Sequence, residues 1–210
     1  MHARLLYVMD PMCSWCWGFA PVLQSLAEQA AMAGVSLQLV VGGLRRDSVA
    51  IDAAARVRYL GYWQAVNAST GQLFNFNDGL PEGLVYDTEP ACRALVTARH
   101  LAPALAWPLA QLIQRAFYTE GVDVTRASVL VDLAERAGIA RAAFAEAFDS
   151  AAHRADTVAD FSWAQDLGIA GFPTLLAERN GQLALLTNGY QPLEVLQPLL
   201  ARWLEQVAHA

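Results

Sequence analysis

Asp10-Pro11-Met12-Cys13-Ser14-Trp15-Cys16-Trp17-Gly18 is the stretch on which the fold of this chain turns. Before it lies Leu5–Met9 (Leu-Leu-Tyr-Val-Met), a short apolar run of the kind a buried strand needs. Asp10-Pro11 breaks that run. A helical pattern then starts near Cys13, with apolar residues at Phe19, Val22, Leu23, Leu26, Ala27 and Ala30. Gly34 stands where a glycine commonly ends a helix. Ser36–Val41 (Ser-Leu-Gln-Leu-Val-Val) gives a second strand, closed by Gly42-Gly43. Strand, helix and strand in this order call for a crossover connection, which is right-handed and makes the two strands parallel.

The two cysteines sit where that geometry favours sulfur chemistry. At the first turn of a helix, unpaired backbone N–H groups and the positive end of the helix dipole converge. They stabilise a thiolate more than a thiol, which selects Cys13 as the nucleophile. Cys16 follows by about one turn, so its sulfur faces that of Cys13 and can attack a mixed disulfide formed there. Cys92 stands alone.

Further out, Thr174–Arg179 and Gln182–Thr187 flank Asn180-Gly181, a dipeptide suited to a type I′ turn, and predict a β-hairpin. Gly171-Phe172-Pro173-Thr174 leads into it, and a strand permits proline only at its first residue or on an edge. A last helix carries Leu193, Leu196, Leu199, Leu200, Trp203, Leu204 and Val207 on one stripe. Between these ends, from Asp47 to Leu167, the signals are almost all helical. Thr88 and Thr125 are N-cap candidates, and Gly138 ends a helix holding Val129, Leu130, Leu133 and Ala134. Ser69–Asp87 is a long connection with Phe74 and Phe76, of a length that is usually functional or disordered.

Composition narrows the function. The 210 residues are 55% hydrophobic and 16% charged, which excludes a disordered chain. Net charge is −6, every basic residue is arginine, and no basic run exceeds Arg45-Arg46, so nucleic acid is not an expected partner. The apolar runs fall short of the roughly 18–20 residues of a membrane span, and His2-Ala3-Arg4 does not open a signal peptide. The expected location is the cytoplasm. Three cysteines, an odd and small number, do not make a disulfide scaffold.

The order strand–helix–strand, helical stretch, Gly-Phe-Pro-Thr, strand–strand–helix, with Cys-x-x-Cys opening the first helix, resembles the DsbA-like thioredoxin superfamily. Residues 10–18 are similar, more narrowly, to its cytoplasmic FrnE-like branch of predicted protein disulfide isomerases. The resemblance covers the whole chain in architecture, with specific motifs at residues 10–18 and 171–174. It implies an α/β, thioredoxin-like fold with a large all-helical insertion. Residues 1–46 and 168–210 would form a discontinuous thioredoxin-like domain, and 47–167 the insert. It also implies that Cys13 attacks, Cys16 resolves, and Pro173 follows a cis bond in a loop that packs on the cysteines, blocks metal capture and offers backbone groups to an extended substrate. Trp15, Phe172 and Thr174 are the substrate-binding candidates. The expected activity is thiol–disulfide exchange on protein or peptide thiols and disulfides, with glutathione as a further partner and with no cofactor or resident metal.

Two departures matter. Ser14-Trp15 replaces the Pro-His of strong periplasmic oxidants, so no cation lies between the cysteines. Tyr7 occupies the place of thioredoxin's buried acid, which leaves Asp10 as the candidate proton-relay carboxylate. On a scale of about −270 to −120 mV, the couple is expected between the extremes and toward the reducing side.

The alternatives are specific. Cys13 and Cys16 could be half of a zinc site completed by Cys92, His100 or His153. Cys92 is otherwise a small core residue. Trp15, Trp17, Phe19, Phe172, Phe74 and Phe76 could form an apolar platform; Trp17 and Phe19 read better as core, and Trp15 as exposed. Trp63, Trp107, Trp163 and Trp203 read as core. Arg45-Arg46 reads as a solvated pair, or as a carboxylate anchor. Kappa-class glutathione transferases and 2-hydroxychromene-2-carboxylate isomerases share the inserted architecture but usually carry serine in place of Cys13. A peptide-binding module without redox turnover is the third reading.

Overall fold

From the N-terminus the elements run β1 (Ala3–Met9), α1 (Ser14–Met32), β2 (Ser36–Val41), β3 (Arg46–Ala50), α2 (Ala53–Thr70), β4 (Val85–Asp87), α3 (Glu89–Leu101), a 3-10 turn at Pro103–Leu105, α4 (Ala106–Tyr118), α5 (Ala127–Arg136), α6 (Arg141–Asp149), α7 (Ala151–Asp166), β5 (Thr174–Arg179), β6 (Gln182–Asn188) and α8 (Leu193–Ala208). The structure is a computed structural model that describes residues 3–208. His2 and His209 lie outside the described residues, as does the side chain of Val207.

Strand β1 is the spine. It pairs in parallel with β2, Leu5 opposite Leu37 and Val8 opposite Val40, and antiparallel with β5, Leu6 opposite Leu176. The sheet order is β2-β1-β5-β6. A central strand covered on both faces reads as a continuous apolar run, which is what Leu5–Met9 is. Alternation along it divides two cores. Leu5, Tyr7 and Met9 join Phe19, Leu39, Leu175 and Leu200 on one side. Leu6 and Val8 join Val40, Leu176 and Ala164 of α7 on the other. The β5–β6 turn has φ of +50° at Asn180 and +82° at Gly181, the two positive angles a type I′ turn requires.

Strand β2 is an edge, and two of its outward backbone groups are capped by side chains. The Arg99 guanidinium of α3 donates to the Leu39 carbonyl at 2.7 Å, while the Asp160 carboxylate of α7 accepts from the Val41 N–H at 3.0 Å. The two side chains also pair in a two-pronged bridge of 2.7 and 3.1 Å. Such capping removes the template an open edge would offer.

The long helical stretch is present, with two short strands inside it that a nearly all-helical reading leaves out. β3 and β4 pair antiparallel, Arg46 opposite Asp87. Their residues carry almost no periodic signal, because β3 is mostly exposed and β4 has only three residues. Thr88 does cap α3 by position, but its hydroxyl is used elsewhere. Thr125 is not the cap of α5. Arg126 holds that place, and Thr125 closes a turn on Asp123 through its N–H and its hydroxyl. Gly138, at φ +97°, follows the end of α5 as expected.

Candidate functional site

The site begins where β1 gives way to α1. Asp10 turns the chain: its carbonyl accepts from the Cys13 N–H at 3.0 Å and its carboxylate from the Met12 N–H at 2.8 Å. These bonds place Cys13 at the N-cap of α1 in an extended conformation, with no side chain capping the helix. The first helix N–H groups are thus left for whatever charge stands at residue 13. Cys13 is 6% exposed and Cys16 is fully enclosed. Cys13 lines a cavity beside the helix start, and Cys16 does not.

All three cysteines are thiols in this structure. Burial pushes the Cys16 thiol well above its usual range, and the adjacent Cys13 sulfur adds to the shift. Cys16 therefore holds its proton. The Tyr7 hydroxyl is fully buried beside the same sulfurs. Burial holds it protonated, and the neighbouring Cys16 sulfur adds to the shift.

The Gly171–Thr174 segment meets the cysteines from the other side. The Phe172–Pro173 peptide is cis, and the Cys13 sulfur lies 3.6 Å from the Phe172 carbonyl oxygen. The Pro173 carbonyl is already taken by the Gly189 N–H at 2.7 Å. Thr174 is buried; its hydroxyl lies 2.9 Å from the Gly171 carbonyl and 3.1 Å from Asn188 Oδ1. It fastens the loop and does not line an open surface. The half-buried Phe172 ring is pressed against Gly42.

Trp15 is half-buried rather than exposed, because Tyr190 covers one side of it at 5.9 Å between ring centres. Its other neighbours form a cavity of about 250 Å³ with Cys13, Leu44, Arg45, Tyr59 and Tyr86. The Arg45 guanidinium lies over Tyr59 at 4.7 Å and Tyr86 at 5.5 Å, while Arg46 pairs with Asp87 at 3.4 Å. The arginine pair is therefore split between a site wall and a surface bridge. Tyr86 also donates to the Met12 carbonyl at 2.7 Å, tying β4 to the cysteine turn.

Apart from Tyr86, the long connection contributes nothing to the lining of the cysteine cavity. Gln72 donates to the Trp17 carbonyl and the Trp17 indole to the Leu73 carbonyl, each at 2.9 Å. Phe74 turns inward onto Trp63 and Tyr118, at 5.3 Å from each. Trp63 and Trp203 are core residues as expected, whereas Trp107 and Trp163 are half-buried.

Behind the cysteine turn lies a buried polar knot. The second Asp10 oxygen accepts from the Leu44 N–H at 2.7 Å, the Thr88 hydroxyl at 2.6 Å and the Cys92 thiol at 3.4 Å. Burial raises the Asp10 carboxyl, and the hydrogen bonds from Leu44, Thr88, Met12 and Cys92 hold part of that rise back. Burial and the Asp10 charge raise Cys92 in turn. Cys92 is a core thiol with a polar partner. No grouping of three metal-ligand side chains includes Cys13 or Cys16 among the described residues.

The family model of the DSBA-like thioredoxin domain matches residues 4–201. This chain belongs to the DSBA-like thioredoxin family. Among solved structures, a proposed protein disulfide isomerase from Nitrosomonas europaea is 39% identical, with 98% of this chain and 99% of that one covered and a TM-score of 0.90. The cytosolic disulfide reductase DsbM from Pseudomonas aeruginosa is 29% identical over 99% of this chain and 100% of that one, TM-score 0.79. A 2-hydroxychromene-2-carboxylate isomerase shares the DSBA-like fold at 17% identity over 98% of each chain, TM-score 0.66. No curated protein matches the chain in sequence. No helix among the described residues is long and apolar enough to cross a membrane.

Proposed function

We propose that this protein is a thiol–disulfide oxidoreductase that reduces or isomerises protein and peptide disulfides in the cytoplasm. The observation that carries the proposal is the pairing of a cavity-lining Cys13 at a helix N-cap with an enclosed, protonated Cys16 behind it. The Cys13 thiolate attacks one sulfur of a substrate disulfide, forms a mixed disulfide and releases the other sulfur as a thiolate, which takes up a proton. Cys16 then gives up its proton and attacks the Cys13 sulfur. The second substrate thiol leaves, and a Cys13–Cys16 disulfide remains. Two electrons and two protons have passed to the substrate. A thiol reductant of the glutathione class returns the pair to the dithiol.

In this proposal Cys13 is the nucleophile, Cys16 the resolving thiol, and the Phe172–Pro173 loop the backbone guide for substrate. Trp15 with Arg45, Tyr59 and Tyr86 offers an aromatic wall and one cation for a small carboxylate-bearing thiol. Glutathione is such a molecule, and a DsbM structure holding it, 29% identical at TM-score 0.77, supports this choice. The division into residues 1–46 with 168–210, and 47–167, belongs to the same proposal. Two thiols, where the isomerase relatives of this architecture usually carry a serine and lack the second, favour exchange over small-molecule isomerisation.

The test is reduction of a model disulfide such as insulin. Cys13→Ser abolishes turnover, and Cys16→Ser accumulates mixed disulfide detectable by mass spectrometry. If both variants kept wild-type turnover, the proposal would fall. Arg45→Ala should raise the KM for glutathione about tenfold, the worth of about 1.4 kcal/mol.

A further inference from the structure

Away from the cysteines, three metal-ligand side chains converge where α3 ends and α7 begins. His100 is in the last turn of α3; His153 and Asp156 share one face of α7 at a spacing of three residues. One donor atom from each lies within 4.8 Å of the others. His100 Nε2 is 3.6 Å from Asp156 Oδ2, and the two imidazoles meet edge to face at 4.9 Å. In a tetrahedral zinc site with bonds of about 2.1 Å, donor atoms stand about 3.4 Å apart, so small side-chain rotations close this set.

The second observation is the state of His153. The Ser150 hydroxyl lies 2.6 Å from the Ala147 carbonyl, the shorter of its two contacts with a possible acceptor. It accepts from the His153 N–H at 3.2 Å, and His153 Nδ1 stands 2.8 Å from the same oxygen. Donation along the shorter contact, to Ala147, makes Nδ1 the nitrogen that carries the hydrogen. That leaves His153 Nε2 as a bare lone pair, buried and without a hydrogen-bond partner. An imidazole with Nδ1–H held by an oxygen and Nε2 free is the tautomer of a metal ligand, and Ser150 supplies the outer partner such a ligand normally has. Neighbouring cations are engaged elsewhere: Arg99 pairs with Asp160, and Arg154 with Asp149.

We propose that His100, His153 and Asp156 bind a divalent transition cation of the zinc class, leaving a fourth position open to water. The site lies near the opposite end of α3 from Thr88, which contacts Asp10. Thirteen residues of helix separate these ends by about 20 Å. Its occupancy is independent of the exchange chemistry and would fasten α3 to α7 beside the Arg99–Asp160 bridge.

Zinc is titrated into the full chain carrying Cys13→Ser and Cys16→Ser, in competition with a chromophoric chelator, so that thiolates do not compete. One zinc per chain is expected, with a rise in unfolding temperature. His100→Ala and Asp156→Asn, both at accessible positions, should each weaken binding by at least about tenfold, and Ser150→Ala by about tenfold through the outer partner. Absence of saturable binding overturns the proposal. So does one-to-one binding that neither His100→Ala nor Asp156→Asn alters.

Discussion

Gly42 and Phe172 compete for one volume. A Cβ on residue 42 would stand 1.9 Å from Cζ of the Phe172 ring, closer than any real contact allows. Gly42 ends the β2 side of the sheet, where its N–H donates to the Met9 carbonyl at 2.8 Å, and so it lies beside the turn that carries Cys13. Gly42→Ala should therefore displace Phe172, whose carbonyl faces the Cys13 sulfur. The expected cost is about 1–3 kcal/mol of stability, as for other overpacked sites. Turnover on a disulfide should fall by up to about a hundredfold through misplacement alone. Urea unfolding and insulin reduction check it; a variant with unchanged midpoint and rate would refute the link.

Exposure and protonation together predict how the thiols label. In the folded, reduced protein at neutral pH, iodoacetamide should modify Cys13 first, while Cys16 and Cys92 stay protected until the protein is denatured. Tryptic mass spectrometry reads this directly. Equal labelling of all three would contradict the enclosure of Cys16.

The Asp10 knot gives a pH signature. Its carboxyl is raised in the folded state, so the folded protein binds this proton more tightly than the unfolded chain, where the value is about 3.9. Stability from this group is therefore greatest at low pH and falls as pH rises from about 4 through the folded-state value, then levels off. Asp10→Asn cannot titrate. The stability difference, wild type minus Asp10→Asn, should shrink across that window and hold constant above it, as measured by urea unfolding at a series of pH values. A difference that grows with pH would reverse the assignment.

Breaking the bridge over the β2 edge should be costly. Arg99 and Asp160 are both largely buried, at 17% and 14% side-chain exposure, and removing one leaves the other charged and unpaired. Arg99→Ala should cost about 3 kcal/mol, with the labelling rate of Cys13 unchanged in the folded protein. A loss no larger than that of a surface substitution would show that the bridge contributes little.

The sheet was legible because its signals are local. Leu5–Met9, Ser36–Val41 and the Asn180-Gly181 hairpin carry their pattern within a few residues. β3 and β4 were not, since Arg46–Ala50 is mostly exposed and Val85–Asp87 is too short to show a period. The same divide runs through the site. Cys13, Cys16 and Pro173 stood out by motif. Tyr59 and Tyr86 around the cavity did not, nor did the meeting of Thr88 and Cys92 with Asp10, because those groups come together only when distant segments pack. Arg45-Arg46 shows the limit plainly: two identical neighbours point to opposite uses, and only tertiary structure separates them.

Substitution at sulfur proceeds with the attacking, central and departing atoms nearly collinear. Around Cys13, the Phe172 carbonyl occupies one flank, and the cavity of Trp15 and Arg45 offers a corridor on another. Under the proposed chemistry, an incoming disulfide must arrive end-on along that corridor. Bonds lying flush with a rigid surface cannot adopt this pose, whereas those in tails, hinges or small conjugates can. Steric approach, more than any particular flanking side chain, would then act as the sieve.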